Sequence, residues 1–172
     1  DAIMDCVEAF GLRPDARILT LNGYENRVFQ IGIEDETPIV GKFYRDERWT
    51  DAQILEEHAF TQELKALELS VVAPLVINGA TLHKHAPFRF SLYPRQAGRT
   101  PDLENESSLA TLGRAIGRIH AAGQRPFEAR PELTPISHGH DARTAVMEGG
   151  YLPPELEASY STVTEQMLGD ID

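Results

Sequence analysis

The sequence predicts an α+β fold in which a part rich in β-strands precedes a part made of helices. Before residue 95, segments with strand character alternate with segments of helical periodicity, and only helical patterns follow. Asn22-Gly23 lies between two β-type runs, which is the strongest short-range signal for a hairpin. A connector rich in Gly, Pro and polar residues, RQAGRTPDLEN, separates the two parts.

In the strand-rich part, a first helix from Ala2 to Phe10 is expected to end at Gly11, with Cys6 as a small core residue. The hairpin strands follow, and the second, RVFQIGI, alternates as a half-buried strand does. The segment TPIVGKFYR predicts a third strand.

A longer helix follows the third strand. It covers WTDAQILEEHAFTQELKAL, and Thr50 and Gln53 have the spacing of a capping box at its start. Two or three further strands are expected in LVING, ATLHKH and PFRFSLYP.

The part after the connector is predicted to be helical. Apolar residues with helical spacing form a stripe that Gly123 ends; they are Leu109, Leu112, Ile116 and Ile119. The stretch that contains HGHDARTA, from His138, is interpreted as a loop. A last helix is expected in PPELEASYSTVTEQML, with Pro in its first turn.

Composition excludes several classes of protein. The 172 residues are 41% hydrophobic and 25% charged, as in ordinary globular domains. The net charge of −11 argues against a nucleic-acid or anionic-membrane partner. A single cysteine rules out an internal disulfide, so we expect a reducing cytoplasm. No apolar run approaches the roughly 18 residues of a membrane span. Because Asp1 opens directly into a helical pattern, we expect this chain to be a piece of a longer protein.

Lys42 is unusual because it lies in a strand with apolar residues on both faces. An unpaired buried ammonium is costly, so a partner is expected. On the following helix, Glu57 occupies a gap in the apolar stripe Ile54, Phe60, Leu64, Leu67, whereas Glu56 lies farther round. The pattern therefore predicts a Lys42–Glu57 ion pair. The alternative is a Lys42 that extends to solvent beside a Glu57 on the surface.

The order of these parts, a hairpin with a glycine at its tip, a strand lysine and a helix glutamate, is the layout of a kinase nucleotide lobe. Four stretches make the similarity specific: LNGYENRVFQI, VGKFYRDERWTDAQILEEHAF, VAPLVINGATL and LGRAIGRIHAAG. With them, the chain resembles the aminoglycoside-phosphotransferase-like branch of the kinase superfamily, and within it the bacterial stress-response kinases.

The resemblance implies a protein-kinase-like bilobal fold, an N-terminal antiparallel β-sheet lobe with a helix and then the first helices of a C-terminal lobe. It implies ATP and Mg²⁺ as cofactors and the Ser/Thr hydroxyls of a protein substrate as acceptors. The segment LYPRQAG matches the hinge that offers backbone groups to adenine, so Tyr93 to Gln96 are expected there. The candidate nucleotide-binding residues are Gly23, Asn26, Lys42, Glu57, Tyr93 and Arg95. The implied lobes are residues 1–94 and 101–172, joined by a hinge at 95–100.

The catalytic residues of this branch are not found in the sequence. Its catalytic loop reads H-G-D-x-H-x-G-N, and HGHDARTA does not match it, so the catalytic Asp and the Mg²⁺ ligands are expected beyond Asp172. The pairs His83/His85 and His138/His140 make a weak metal site, and we expect surface or loop histidines. Two alternatives stay open, a small-molecule kinase acting on an amino alcohol or aminoglycoside, and a non-catalytic interaction module. The sequence does not indicate an oligomeric state.

Overall fold

The structure, a computed structural model, describes residues 2–171. In that range the chain forms five strands, five α-helices and one π-helical turn. In chain order they are α1 (Ala2–Glu8), β1 (Pro14–Leu21), β2 (Arg27–Ile33), β3 (Ile39–Tyr44), α2 (Asp51–Ala66), β4 (His83–His85), β5 (Phe88–Pro94), α3 (Glu106–Ala122), the π-helical turn (Ile136–His140), α4 (Asp141–Glu148) and α5 (Pro154–Gly169). The chain divides into two compact units, residues 1–130 and 131–172.

The five strands form one antiparallel sheet in the order β1-β2-β3-β5-β4. The strand that carries Lys42, β3, is therefore central, and Lys42 lies opposite Val28 of β2 and Ser91 of β5. A central strand has hydrogen-bonded neighbours on both edges, so its side chains can only point to the two faces of the sheet. Successive residues of β3 alternate between those faces.

One face of the sheet packs on α1 and forms the apolar core. Cys6 and Val7 of α1 are fully buried against Ile31, Phe90 and Leu92. Further buried members of this core are Ile33, Ile39 and Phe43. The interpretation of Cys6 as a small core residue is confirmed, and burial raises the pKa of its thiol.

The helix α2 begins as its sequence predicts. The Thr50 hydroxyl accepts a hydrogen bond from the Gln53 backbone N–H, and the Gln53 side chain accepts one from the Thr50 N–H. These two bonds satisfy amide groups that a helix start leaves without internal partners.

The buried face of α2 differs from the predicted stripe. Ile54, His58 and Leu64 are buried, whereas Leu67 is half exposed. The helix is rotated so that its buried face is centred between Ile54 and His58, which places Glu57 at the edge of that face. The prediction missed this because it followed apolar residues only and passed over a histidine whose polar atoms are satisfied inside the protein.

Two predicted elements differ in the rest of the chain. The segment LVING does not form a strand; Ile77 and Ala80 make only an isolated bridge, because Asn78 and Gly79 turn the chain between them. The stretch from His138, interpreted as a loop, is helical and continues from the π-helical turn into α4. The helix that Gly123 ends and the helix with Pro154 in its first turn are confirmed.

A search of residues 2–171 for a helix with the length and apolar character of a membrane span returns none.

Candidate functional site

The predicted ion pair between β3 and α2 is present. Lys42 Nζ lies 3.2 Å from Glu57 Oε1, and the two side chains are 24% and 35% exposed. The Lys42 ammonium also lies over the Tyr44 ring, 5.1 Å from its centroid. Both charges are thus partly removed from water, which strengthens their attraction and increases the cost of leaving either unpaired.

The Lys42–Glu57 pair lies at the wall of a cavity of about 360 Å³ between the sheet and α2. Apolar side chains line one part of it, and the segment predicted as a hinge contributes to another. The lining residues are Val28, Val40, Lys42, Glu57, Thr61, Val72, Tyr93, Pro94 and Gln96. A volume of this size is within the range of small-ligand sites, and valines beside one cation suit a flat apolar ring that carries an anionic group.

A second cation, Arg130, contacts Glu57, and the sequence patterns did not predict it. The Arg130 guanidinium, through Nη2, donates to Glu57 Oε2, the oxygen that Lys42 does not contact. Its carbon Cζ lies 4.3 Å from the centroid of the Trp49 ring, a cation–π contact. Glu57 therefore lies between two cations, one from the sheet and one from the segment after α3.

The neighbouring Glu56 holds the backbone of that same segment. Its carboxylate accepts hydrogen bonds from the N–H groups of Glu128 at 2.6 Å, Ala129 at 3.1 Å and Arg130 at 2.7 Å. Desolvation opposes ionisation, but the three amide hydrogen bonds prevail and lower the pKa of Glu56. The two adjacent glutamates of α2 thus have separate partners.

The hairpin is confirmed, with residues 22–26 as its connecting loop. A Cβ added to Gly23 would lie 2.6 Å from the Asn26 backbone oxygen and 3.0 Å from Val28 Cγ2, so the loop closes only with glycine there. The Asn26 Oδ1 atom is buried and has no hydrogen-bond partner among the described residues. Neither Gly23 nor Asn26 lines the cavity.

The loop is fastened to the connection between β3 and α2 by Glu25. This carboxylate accepts from Arg48 Nη2 at 2.8 Å and from Trp49 Nε1 at 3.0 Å. The hydrogen bonds from Arg48 and then Trp49 lower the pKa of Glu25 to about 2. Trp49 therefore contacts both the loop residue Glu25 and, with its ring, Arg130.

The two predicted residues near the end of β5 are placed differently. Tyr93 lines the cavity, opposite Val40 in the sheet register. Arg95 is exposed, and its Nε donates to Gln30 Oε1 at 3.3 Å; its side chain does not line the cavity. Whether either residue contacts a nucleotide stays a prediction.

A buried histidine behind the ion pair was also missed. His58 Nε2 lies 2.9 Å from the Tyr44 hydroxyl and 3.4 Å from those of Ser91 and Tyr93, and Nδ1 lies 2.9 Å from Thr81 Oγ1. Burial, more than any neighbouring charge, lowers the pKa of His58 to about 4. Its spacing of four residues from buried Ile54 was the signal that could have identified it.

The expectation that the paired histidines lie at the surface or in loops is wrong for one of them, His83. His83 is buried, 4.6 Å from the Phe10 ring and 5.6 Å from that of Phe90, and burial lowers its pKa. It is an inward-facing residue of an edge strand, where alternation places every second side chain in the core. His85, His138 and His140 are exposed. Within residues 2–171, no three or more His, Cys, Asp or Glu side chains form a group that could hold a metal ion.

The chain is similar to curated bacterial kinases. It is 37% identical over 172 residues to stress response kinase A of Escherichia coli strain K12, and 36% identical to stress response kinase A of Salmonella typhi. It is also 36% identical to a protein of Salmonella typhimurium named serine/threonine protein kinase RdoA. The matches cover 99% of this chain and 52% of each relative, so the chain spans about half their length.

Two solved structures share the fold. An amicoumacin kinase in complex with AMP-PNP, Ca²⁺ and Ami matches with a TM-score of 0.70 at 18% identity, over 97% of this chain and 53% of that one. A microcompartment-associated aminopropanol kinase matches with a TM-score of 0.65 at 16% identity, over 86% of this chain and 53% of that one. The predicted α+β, protein-kinase-like fold class is thereby confirmed.

A family model described as the phosphotransferase enzyme family matches residues 18–165. This range contains the sheet, α2, the Lys42–Glu57 pair and the cavity beside it. The chain belongs to the phosphotransferase enzyme family.

Proposed function

We propose that this chain is the nucleotide-binding part of an ATP-dependent kinase that phosphorylates Ser/Thr hydroxyls of a protein. The observation that carries the proposal is the Lys42–Glu57 pair at the wall of the cavity between sheet and helix. Transfer of a phosphoryl group depends on positioning and on compensating phosphate charge. A lysine held by a carboxylate beside an apolar cavity supplies both for a nucleotide.

Each end of the cavity has a role in this proposal. Lys42 would contact the phosphates, and Glu57 would hold its ammonium in place. Val28, Val40 and Val72 would pack on the adenine ring, and the backbone from Tyr93 to Gln96 would pair with its edge. The loop that contains Gly23 and Asn26 would cover the phosphates, with Gly23 permitting its backbone amides to approach them.

The residues that line the cavity fit a nucleotide, whereas residues 2–171 contain no group of three or more His, Cys, Asp or Glu side chains that could hold a metal ion. Mg²⁺ would supply charge compensation to the phosphates when it is bound. Since HGHDARTA does not match the loop H-G-D-x-H-x-G-N, we propose that the Mg²⁺ ligands and the catalytic Asp come from residues outside 1–172. We also propose that residues 1–94 and 101–172 belong to two lobes joined by a hinge at 95–100, and that the protein is located in the cytoplasm.

A second candidate function is phosphorylation of a small molecule. It is favoured by the names of the two structural neighbours, an amicoumacin kinase and an aminopropanol kinase. The protein-kinase proposal is favoured by the curated relatives, which are far closer in sequence and include a protein named serine/threonine protein kinase RdoA. The nucleotide site would be the same in both cases, so only the acceptor separates them.

The test is phosphoryl transfer by the intact protein from radiolabelled ATP, offered either a generic protein substrate or a panel of amino alcohols and aminoglycosides. Lys42→Ala should nearly abolish transfer, because it removes the cation at the cavity wall. Lys84→Ala is the matched control, since Lys84 is also a strand lysine paired with a carboxylate of α2, 2.6 Å from Asp51, but it is 64% exposed and does not line the cavity. The control should keep its activity.

Three results would count against the proposal. Transfer only to small molecules would establish the second candidate, and nucleotide binding without transfer to any acceptor would establish a non-catalytic module. Full activity of Lys42→Ala would contradict the assignment of this cavity as the nucleotide site.

A further inference from the structure

Glu57 is shared by two cations, and this arrangement points to a role for the second one. Each carboxylate oxygen has its own partner, Lys42 Nζ on Oε1 and Arg130 Nη2 on Oε2. A carboxylate held at one oxygen can rotate about its own axis, whereas one held at both has a fixed plane. Arg130 thus fixes the orientation in which Glu57 faces Lys42.

Arg130 is itself held firmly enough to do this. Its backbone N–H donates to Glu56, and its guanidinium lies 4.3 Å from the centroid of the Trp49 ring. Trp49 in turn donates to Glu25 in the loop 22–26. A continuous set of contacts therefore joins the hairpin loop to Lys42 through Trp49, Arg130 and Glu57.

The charges of this group favour an anionic ligand. Lys42 and Arg130 carry two positive charges and share the one negative charge of Glu57, while the neighbouring Glu56 carboxylate accepts from the backbone amides of residues 128–130. An isolated Lys–Glu pair would be neutral. The ammonium of Lys42 is consequently less compensated by its protein partner and attracts phosphate more strongly.

We propose that Arg130 is a positioning residue of the nucleotide site, acting through Glu57 and Trp49 to orient Lys42 and the phosphate-covering loop toward a nucleoside triphosphate. The proposal rests on the proposed function and deepens it. Arg130 is not among the residues that line the cavity, so it acts on the ligand through its neighbours.

The chain offers a matched control for this arginine. Arg125 lies in the same segment, pairs with Glu63 of α2 at 3.1 Å and packs on the Phe127 ring at 4.7 Å. Arg125 has the same two kinds of contact, but neither Glu63 nor Phe127 lines the cavity. Arg125→Met therefore reports the general cost of detaching this segment from α2.

The experiment compares variants of the intact protein by kcat/KM for ATP, by the dissociation constant of a fluorescent ATP analogue, and by the unfolding midpoint. Arg130→Met should lower kcat/KM about tenfold, the effect of losing one charge-assisted hydrogen bond. It should weaken analogue binding as well, with an unfolding midpoint like that of Arg125→Met. Arg130→Lys should lose less, because it keeps the charge but not the planar stack on Trp49.

Two further variants test whether Arg130 acts through Glu57 and Trp49. In a Glu57→Gln background, Arg130→Met should add little, since the two residues act as a unit. Trp49→Phe keeps a ring under Arg130 but removes the N–H donor to Glu25, so it should weaken analogue binding by disturbing the loop alone.

The outcomes separate this inference from the function on which it rests. If Lys42→Ala retains full transfer and analogue binding, the proposed function fails and the role of Arg130 with it. If Lys42→Ala is inactive but Arg130→Met matches Arg125→Met in kcat/KM and in analogue binding, the site stands and the positioning role is wrong. Fully additive effects of Arg130→Met and Glu57→Gln would also overturn it.

Discussion

His58 should make the stability of this chain sensitive to mild acid. Its imidazole is buried among hydroxyl groups, and burial lowers its pKa to about 4. In the unfolded chain the same group titrates near its ordinary value of about 6.5. Because the folded pKa is the lower one, the unfolded state binds more protons below pH ~6.5, and stability falls as the pH decreases from there toward about 4.

The size of the effect follows from these two pKa values. A difference of roughly 2.5 units corresponds to about 3 kcal/mol once the pH is below both values. Between pH ~7.5 and pH ~5, the part already lost is about 2 kcal/mol. This is a large share of the stability of an ordinary domain.

The assay is urea unfolding of the 172-residue chain at these two pH values, for the unmodified chain and for His58→Gln. The variant should be less stable near pH 7.5, because hydroxyls such as that of Tyr44 lose their partner. It should lack the acid-dependent loss of about 2 kcal/mol, so the two stabilities should converge near pH 5. His83 is present in both proteins, so its own titration cancels. Equal pH dependence of the two chains would refute the assignment of a buried, neutral His58, as would an NMR titration that places its pKa near 6.5.

Two other predictions concern the loop and the core. Gly23→Ala should push the backbone at residue 23 away from the Asn26 carbonyl oxygen, cost about 1–3 kcal/mol and weaken binding of an ATP analogue. Unfolding and fluorescence titrations measure the two effects, and unchanged binding of the analogue would mean that this loop does not cover the ligand. Phe90→Ala should lower the stability by about 3–5 kcal/mol, because Phe90 is fully buried. Tyr24→Ala, at a 94% exposed position, should change it by less than about 0.5 kcal/mol. Equal losses of stability in urea unfolding would contradict the assignment of the core.

The features that the sequence predicted are those decided within a few residues. The capping box of Thr50 and Gln53 closes across three positions, and the hairpin and the end of α3 at Gly123 also depend on neighbours in the chain. The Lys42–Glu57 pair joins residues that are 15 positions apart in the sequence. It was nevertheless predictable, because both residues interrupt apolar patterns and a single explanation covers both interruptions.

The features that were missed depend on residues far apart in the sequence. The polar partners that make burial of His58 possible include Tyr44 and Thr81, and no local pattern connects them. His83 is inward-facing only because β4 pairs with β5 in one particular register. Both are polar residues in buried positions: hydroxyl groups pair with His58, whereas the rings of Phe10 and Phe90 pack against His83.

The adjacent glutamates of α2 show how one short sequence serves two long-range contacts. Neighbouring helix residues point about 100° apart, so Glu56 and Glu57 cannot both face the same partner. Glu57 faces the sheet and Lys42, and Glu56 faces the backbone amides of residues 128–130. Because those amides fix the position of Arg130, Glu56 also determines which cation reaches the second oxygen of Glu57. The order Glu-Glu in this helix therefore fastens a segment 73 residues away and sets the charge around Lys42 at the same time.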